Sequence, residues 1–134
     1  MKLIINEKEY TIKFGYEATV KNKILKRIAE VETQQDGFDV LDGIMLLLPE
    51  LLLVGLQRFH SDEFGFDAYN EAEKEQRMEQ VFAMLDDYFD KEDADIKELY
   101  QSLTKELEDN SFLSKLLKQE QSKAKNTNQK TVKK

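Results

Sequence analysis

Several residue types that carry chemistry are scarce or absent in this sequence. Its 134 residues include no Cys and no Trp, and His60 is the single histidine. Without cysteine there is no disulfide framework, no thiolate zinc site and no cysteine nucleophile. One histidine cannot supply the set of protein ligands that a catalytic zinc ion needs. These absences argue against an enzyme and against a metal or cofactor site.

Phosphate-binding loops and long apolar runs are also missing. The five glycines lie far apart, and none belongs to a phosphate-binding or dinucleotide-binding pattern. The apolar stretch 44–54 is interrupted by Pro49 and Glu50, and it falls short of the roughly 20 residues that cross a bilayer. The N-terminus lacks the apolar segment of a signal peptide. We therefore expect no membrane span and no secretion by that route.

Two acidic segments invite a metal or acid–base interpretation. An EF-hand loop beginning at Asp90 would place Ala94 at a ligand position and Gln101 where the bidentate Glu belongs. The segment 60–63, His-Ser-Asp-Glu, could be a base beside a carboxylate, but a histidine at a helix end is also favoured by the helix dipole. We interpret 86–95 as a solvated junction between helices and His60 as a helix-end residue.

The formal net charge of −7 is unevenly distributed. Residues 118–134 hold six lysines and one acid, a net charge of +5, which leaves −12 on residues 1–117. Within that part, residues 62–95 carry thirteen acidic and three basic side chains. The pattern predicts an acidic folded body with a basic tail. Such a body should repel nucleic acid and anionic membranes.

The first 14 residues predict a β-hairpin. The runs 3–5 and 10–14 are rich in β-branched and aromatic residues, and they flank the polar turn 6–9. The second run alternates apolar and polar residues, so that one face is apolar. Because an isolated hairpin is only marginally stable, we expect it to pack on the helices that follow.

Hydrophobic periodicity predicts helices in the rest of the chain. The helices are predicted at 16–32, 38–60 and 69–89, and from 93–95 to beyond Leu107. Pro49 predicts a kink or the first turn of a second helix, and Asp67 or Asn70 is the predicted N-cap of the third. The segment 38–60 is apolar almost all round and should be the central element.

Together these patterns predict a mainly α-helical protein. We expect one domain at 1–119, in which a hairpin at 1–14 packs on a bundle of four to five helices. The polar and basic residues 120–134 are expected to be a disordered tail.

Two apolar segments are candidates for contact with a partner. The leucine-rich run 46–54 is either core or a partly exposed groove for another apolar helix or for self-association. The segment 112–117 either packs on the body or forms a detachable apolar face. The candidate partner-binding residues are Leu47, Leu51, Leu52, Phe59, Phe112, Leu113, Leu116 and Leu117.

Four segments carry a resemblance to a known family. They are 2–15 (KLIINEKEYTIKFG), 51–60 (LLLVGLQRFH), 80–90 (QVFAMLDDYFD) and 110–113 (NSFL). In this layout, over about residues 1–119, the chain resembles the tail assembly chaperones of long-tailed, siphovirus-type bacteriophages that infect Gram-positive bacteria.

The resemblance implies a non-enzymatic role in virion assembly, without a cofactor. Proteins of this family are thought to coat the tape measure protein, keep it soluble and hand it to tail tube subunits. It further implies action in the host bacterial cytoplasm, absence from the mature virion, a possible homo-oligomer and, often, a frameshifted long form. Apolar grooves would cover the heptad stripes of the client, and net charge would keep the complex dispersed.

The acidic stretch 62–95 supports an alternative from a different class. A small acidic inhibitor could present negative charge like that of DNA to a basic nucleic-acid-binding partner. Its binding would be strongly salt-sensitive.

Overall fold

A computed structural model of the protein describes residues 1–116, which form two strands and five helices. The elements are β1 (Lys2–Ile5), β2 (Lys8–Thr11), α1 (Tyr16–Lys21), α2 (Ile24–Glu32), α3 (Gly37–Phe64), α4 (Glu71–Phe89) and α5 (Ile96–Asn110). The predicted fold class, helices with an N-terminal hairpin, is confirmed. The predicted tail, 120–134, and the predicted domain end at residue 119 lie outside the described residues.

The hairpin is antiparallel and tighter than predicted. Asn6 and Glu7 form a two-residue turn with positive φ angles of 52° and 66°, which suits the right-handed twist of the strands. The ladder then ends where Lys2 faces Thr11, so β2 stops there and the predicted strand 10–14 is wrong in its limits. Beyond Thr11 the chain bonds to α3 instead, because the Lys13 N–H donates to the Gly55 carbonyl at 2.9 Å.

The single helix predicted at 16–32 is in fact two helices. Lys23 adopts the left-handed conformation, with φ 53° and ψ 43°, and this ends the α1 hydrogen-bond ladder. The break rotates α2 relative to α1, so the predicted apolar stripe is not continuous. Ile24, Ile28 and Val31 are buried, whereas Val20 and Leu25 are exposed.

Helix α3 is the central element, as predicted, but it does not break at Pro49. The helix runs through Pro49, and its non-helical backbone angles occur at His60, with φ −128° and ψ 31°. Proline removes one hydrogen bond to the preceding turn, and the dense packing around this buried position keeps the remaining ladder intact. The helix also continues to Phe64, beyond its predicted end at residue 60.

The starts of α4 and α5 agree with the predicted caps. The Asn70 side chain accepts from the Glu73 N–H at 3.2 Å, and the Asp95 side chain accepts from the Lys97 N–H at 2.8 Å. The Glu73 carboxylate accepts from the Asp67 N–H at 2.9 Å rather than from Asn70. Residues 90–95 join α4 to α5, whereas 86–89 form the last turn of α4, so the predicted junction 86–95 is shorter than expected.

The core surrounds α3, which contacts β2 and every other helix. Its fully buried residues include Leu47, Leu48, Leu51, Leu52, Leu53, Val54 and Leu56. One charged side chain lies among them: the Glu50 carboxylate is 2.6 Å from Lys74 Nζ of α4 and also pairs with Arg27 of α2. Through these two ion pairs the buried carboxylate links α2 and α4 to α3.

Candidate interaction surfaces

The structure divides the predicted partner-binding residues into buried and exposed sets. Leu47, Leu51 and Leu52 are core residues of α3 and offer no surface in this structure, because α3 is surrounded by the hairpin and the other helices. Leu113 is also buried, and its N–H donates to Ser111 Oγ at 3.1 Å. Phe59, Phe112 and Leu116 are exposed. Leu117 lies outside the described residues.

A groove of about 1020 Å³ opens between α1 and the connection from α3 to α4. This α1 groove is lined by Tyr16, Ala18, Gln57, Arg58, Phe66 and Tyr69, among others. Tyr16 and Tyr69 are exposed, so their rings are accessible from solvent. Aromatic walls that carry a few polar groups are typical of surfaces that bind peptides or other proteins.

Charged side chains in the α1 groove are partly neutralised within the protein. Lys21 Nζ donates to Glu17 Oε1 at 2.6 Å and lies 5.5 Å from the centre of the Tyr69 ring. The hydrogen bond to Glu17 raises the pKa of Lys21 above its ordinary value. Arg58 is exposed at the same groove. The groove therefore offers both apolar contacts and hydrogen-bond donors.

One wall of the α1 groove joins the C-terminal apolar segment. The Tyr16 ring packs edge-on against the Phe112 ring, with 5.1 Å between their centres. Phe112 and Leu116 extend the apolar surface beyond the groove. Sequence reasoning selected Phe112 and Leu116 and missed Tyr16, because the residue was read only as the start of a helix.

A second apolar surface lies on the N-terminal half of α3. Phe38 and Met45, hereafter the α3 seam, are 84% and 45% exposed, and Leu46 next to Met45 is 69% exposed. The sequence predicted 38–60 to be the central element and left 46–54 as either core or a partly exposed groove. Leu46 is exposed, whereas Leu47, Leu48 and residues 51–54 are buried. Asp39 and Asp42, both exposed, lie in the same half of α3 as these apolar side chains.

His60 has a structural role. Its Nε2 accepts from the Thr11 N–H at 3.0 Å, and its ring packs edge-on against Tyr10 with 5.3 Å between centres. The nitrogen that could have acted as a base is therefore occupied by the hairpin. Within residues 1–116 no group of three or more His, Cys, Asp or Glu side chains could hold a metal ion.

Helix length and hydropathy within residues 1–116 bear on membrane insertion. None of the helices from α1 to α5 is long and apolar enough to cross a bilayer.

The fold and these surfaces define a class: a small, mainly α-helical domain with exposed apolar side chains suited to contacts with other proteins. Residues 2–121 match the protein-family model described as "Phage tail assembly chaperone protein, TAC". The chain therefore belongs to the phage tail assembly chaperone family, and the predicted resemblance is confirmed. No curated protein and no solved structure gives a match. The siphovirus type and the Gram-positive host stay predictions.

Proposed function

We propose that this phage tail assembly chaperone binds the tape measure protein, keeps it soluble and helps to recruit tail tube subunits. The observation that carries the proposal is the presence of exposed apolar side chains, including Tyr16, Phe112 and Leu116, on a strongly acidic domain. The protein would act by binding alone, without enzymatic activity. Its place of action would be the host cytoplasm, and it would be absent from the mature virion.

The two surface properties suit the two requirements of this role. A long coiled-coil-forming client exposes apolar heptad stripes until the tube encloses it, and the exposed aromatic and leucine side chains can cover them. The body of residues 1–117 carries a net charge of −12, which keeps a chaperone–client complex dispersed by mutual repulsion. A homo-oligomer, such as a ring or filament, would repeat these surfaces along the rod.

The acidic-inhibitor alternative receives less support. Exposed acids on α4, including Glu75, Glu79 and Asp86, agree with it. Family membership, however, supports a role in phage tail assembly.

The frameshifted long form of the protein, which the family resemblance implies, stays a prediction.

Co-expression with the tape measure protein of the same phage tests the proposal. The wild-type chain should increase the soluble fraction of the tape measure protein several-fold over expression without it. Phe112→Asp combined with Leu116→Asp should abolish most of this gain, since both side chains are exposed. Phe82→Asp, at an exposed aromatic residue on α4, is the matched control and should retain it. An unchanged amount of soluble tape measure protein with the wild-type chain would contradict the proposal.

A further inference from the structure

We propose that the α3 seam is a docking site for one amphipathic helix whose apolar stripe is bordered by lysine and arginine side chains. The inference rests on the proposed function, because this helix would belong to the client protein. It adds the α3 seam to the surfaces at which the chaperone meets the client, and it states what chemistry that part of the client must have.

The spacing of apolar residues on this half of α3 suits a helix partner. Phe38, Leu41, Met45 and Leu48 follow steps of three and four residues, which is the alternation of a and d positions in a coiled coil. Leu48 is buried and Leu41 is half-buried, so they form the floor of the surface. The stretch 38–48 rises about 15 Å along the helix axis, which is enough to contact about three turns of a second helix.

The same stripe is covered further along α3. Leu52 lies seven residues after Met45, and Leu56 lies four residues after Leu52, so both belong to this face of the helix. Both are completely buried by the rest of the domain. The apolar face therefore continues beyond the elements that cover it within residues 1–116, and Phe38 and Met45 extend an interface that the domain itself already uses.

The charges around the seam select the partner. Residues 28–57 contain no Lys, Arg or His. Asp39 and Asp42 are exposed on α3 between the apolar side chains. Exposed Glu32 is also close, because its neighbour Val31 packs at Gly43, where an added Cβ would stand 3.1 Å from Val31 Cγ2. Acidic margins favour a helix that carries basic residues beside its apolar stripe.

The same charges argue against two other occupants. A second copy that paired seam to seam would add its own Asp39 and Asp42 to the same interface, where residues 28–57 offer no basic side chain to pair with them. Residues 117–134 of this chain are rich in lysine, but Leu117, Ala124 and Val132 are their only apolar side chains. They cannot supply an apolar stripe that matches the seam.

Two synthetic 21-residue peptides test the partner chemistry. Both carry Leu at the a and d positions; one has Lys at e and g, and the other has Glu there. Fluorescence anisotropy with a dye-labelled peptide should show at least tenfold tighter binding of the Lys peptide by the wild-type protein. Raising the salt concentration should weaken this binding, since charges contribute to it. Equal affinity for the two peptides would overturn the proposal.

Variants locate the binding to the seam. Phe38→Ser combined with Met45→Ser should weaken binding of the Lys peptide at least tenfold, and circular dichroism should confirm that the fold is retained, because both side chains are exposed. Asp39→Asn combined with Asp42→Asn should weaken it less and reduce its salt dependence. Phe82→Ser is the matched control, because Phe82 is also exposed beside acids, Glu79 and Asp86. A twofold or smaller change in the Phe38 and Met45 variant, or an equal loss in the Phe82 control, would overturn the proposal.

Two further measurements separate this inference from the proposed function. If the Phe38 and Met45 variant keeps the tape measure protein as soluble as the wild type does, the seam proposal fails and the proposed function stands. If the wild-type chain gives no gain in solubility, the proposed function fails, whereas the peptide measurements still decide the chemistry of the seam. Light scattering after size-exclusion chromatography completes the test: a wild-type oligomer that Met45→Ser converts to a monomer would assign the seam to a second copy and overturn the proposal.

Discussion

At the scale of single residues, the Tyr100 hydroxyl is buried without a hydrogen-bond partner among residues 1–116. Burial, with a smaller contribution from the charge of Glu32, raises the pKa of Tyr100 to about 12. A buried donor without a partner costs stability, so removing it should be favourable. Tyr100→Phe is expected to raise the free energy of unfolding by about 1 kcal/mol. Urea denaturation at pH 7 measures this, and a loss of stability would contradict it.

Glu106 makes stability depend on pH. Burial opposes its ionisation, but hydrogen bonds from Asn110 Nδ2 at 2.8 Å and from the Met1 amino group at 2.9 Å outweigh burial and lower the pKa of Glu106. The unfolded chain then binds more protons than the folded one, so this contribution is present above the ordinary pKa of about 4.3. It is lost as the pH falls through the lower pKa of the folded state.

Glu106→Gln should therefore lower the free energy of unfolding by about 1 kcal/mol at pH 7. The difference from the wild type should narrow between pH 7 and pH 3, because Glu106 increasingly binds a proton and loses its charge as the pH falls. Parallel urea titrations at the two pH values measure this. A difference of the same size at both would show that packing, rather than charge, is responsible.

At the scale of elements, Gly55 sets how closely the hairpin approaches α3. A Cβ at this position would stand 2.7 Å from Ile12 Cγ2, and the Gly55 carbonyl accepts from the Lys13 N–H. Gly55→Ala should lower stability by about 2 kcal/mol, because the clash outweighs the better helix propensity of alanine. Gly37→Ala is the matched control, since nothing lies within 4 Å of its added Cβ, and it should not destabilise. Thermal unfolding measures the stability of both variants. An equal loss of stability in Gly55→Ala and Gly37→Ala would contradict the proposed clash with Ile12.

Some helix boundaries could be predicted from local sequence patterns, and others could not. The starts of α4 and α5 follow from Asn70 and Asp95, whose side chains bond to N–H groups of the next few residues, and such caps are visible in the sequence. The break at Lys23 has no such local signal, since lysine is an ordinary helix former. Pro49 gave the opposite error: proline can mark the first turn of a new helix, but α3 runs through it.

At the scale of the whole molecule, Glu50 joins three helices. Burial, together with the charge of Arg27, lowers the pKa of Lys74, while both cations pair with the buried carboxylate. Arg27→Met combined with Lys74→Met would leave that carboxylate buried and unpaired, at a cost of about 3 kcal/mol. Glu50→Gln should cost less, about 1 kcal/mol, because both cations can reach water. Chemical denaturation at pH 7 compares the stability of the double variant with that of Glu50→Gln. If Glu50→Gln lost as much stability as the double variant, or more, the expected difference between them would be contradicted.

The candidate sites could be predicted only in part. The sequence indicated the segments that hold apolar surface, and Phe59, Phe112 and Leu116 are exposed as a partner site requires. It could not separate them from Leu47, Leu51 and Leu52, which have the same chemistry and lie in the same kind of helix. Whether a leucine is exposed depends on which other element covers it, and that information is not local.

The sequence by itself determined the helical class, the N-terminal hairpin, the central place of α3 and the charge asymmetry, because these depend on period, capping and composition. Only the tertiary structure decided which half of α3 is covered, where α1 ends and how Tyr16 meets Phe112. The physical reason is that periodicity specifies the faces of each element, whereas burial results from the contacts among all of them. The same apolar face of α3 is therefore core at Leu52 and surface at Phe38.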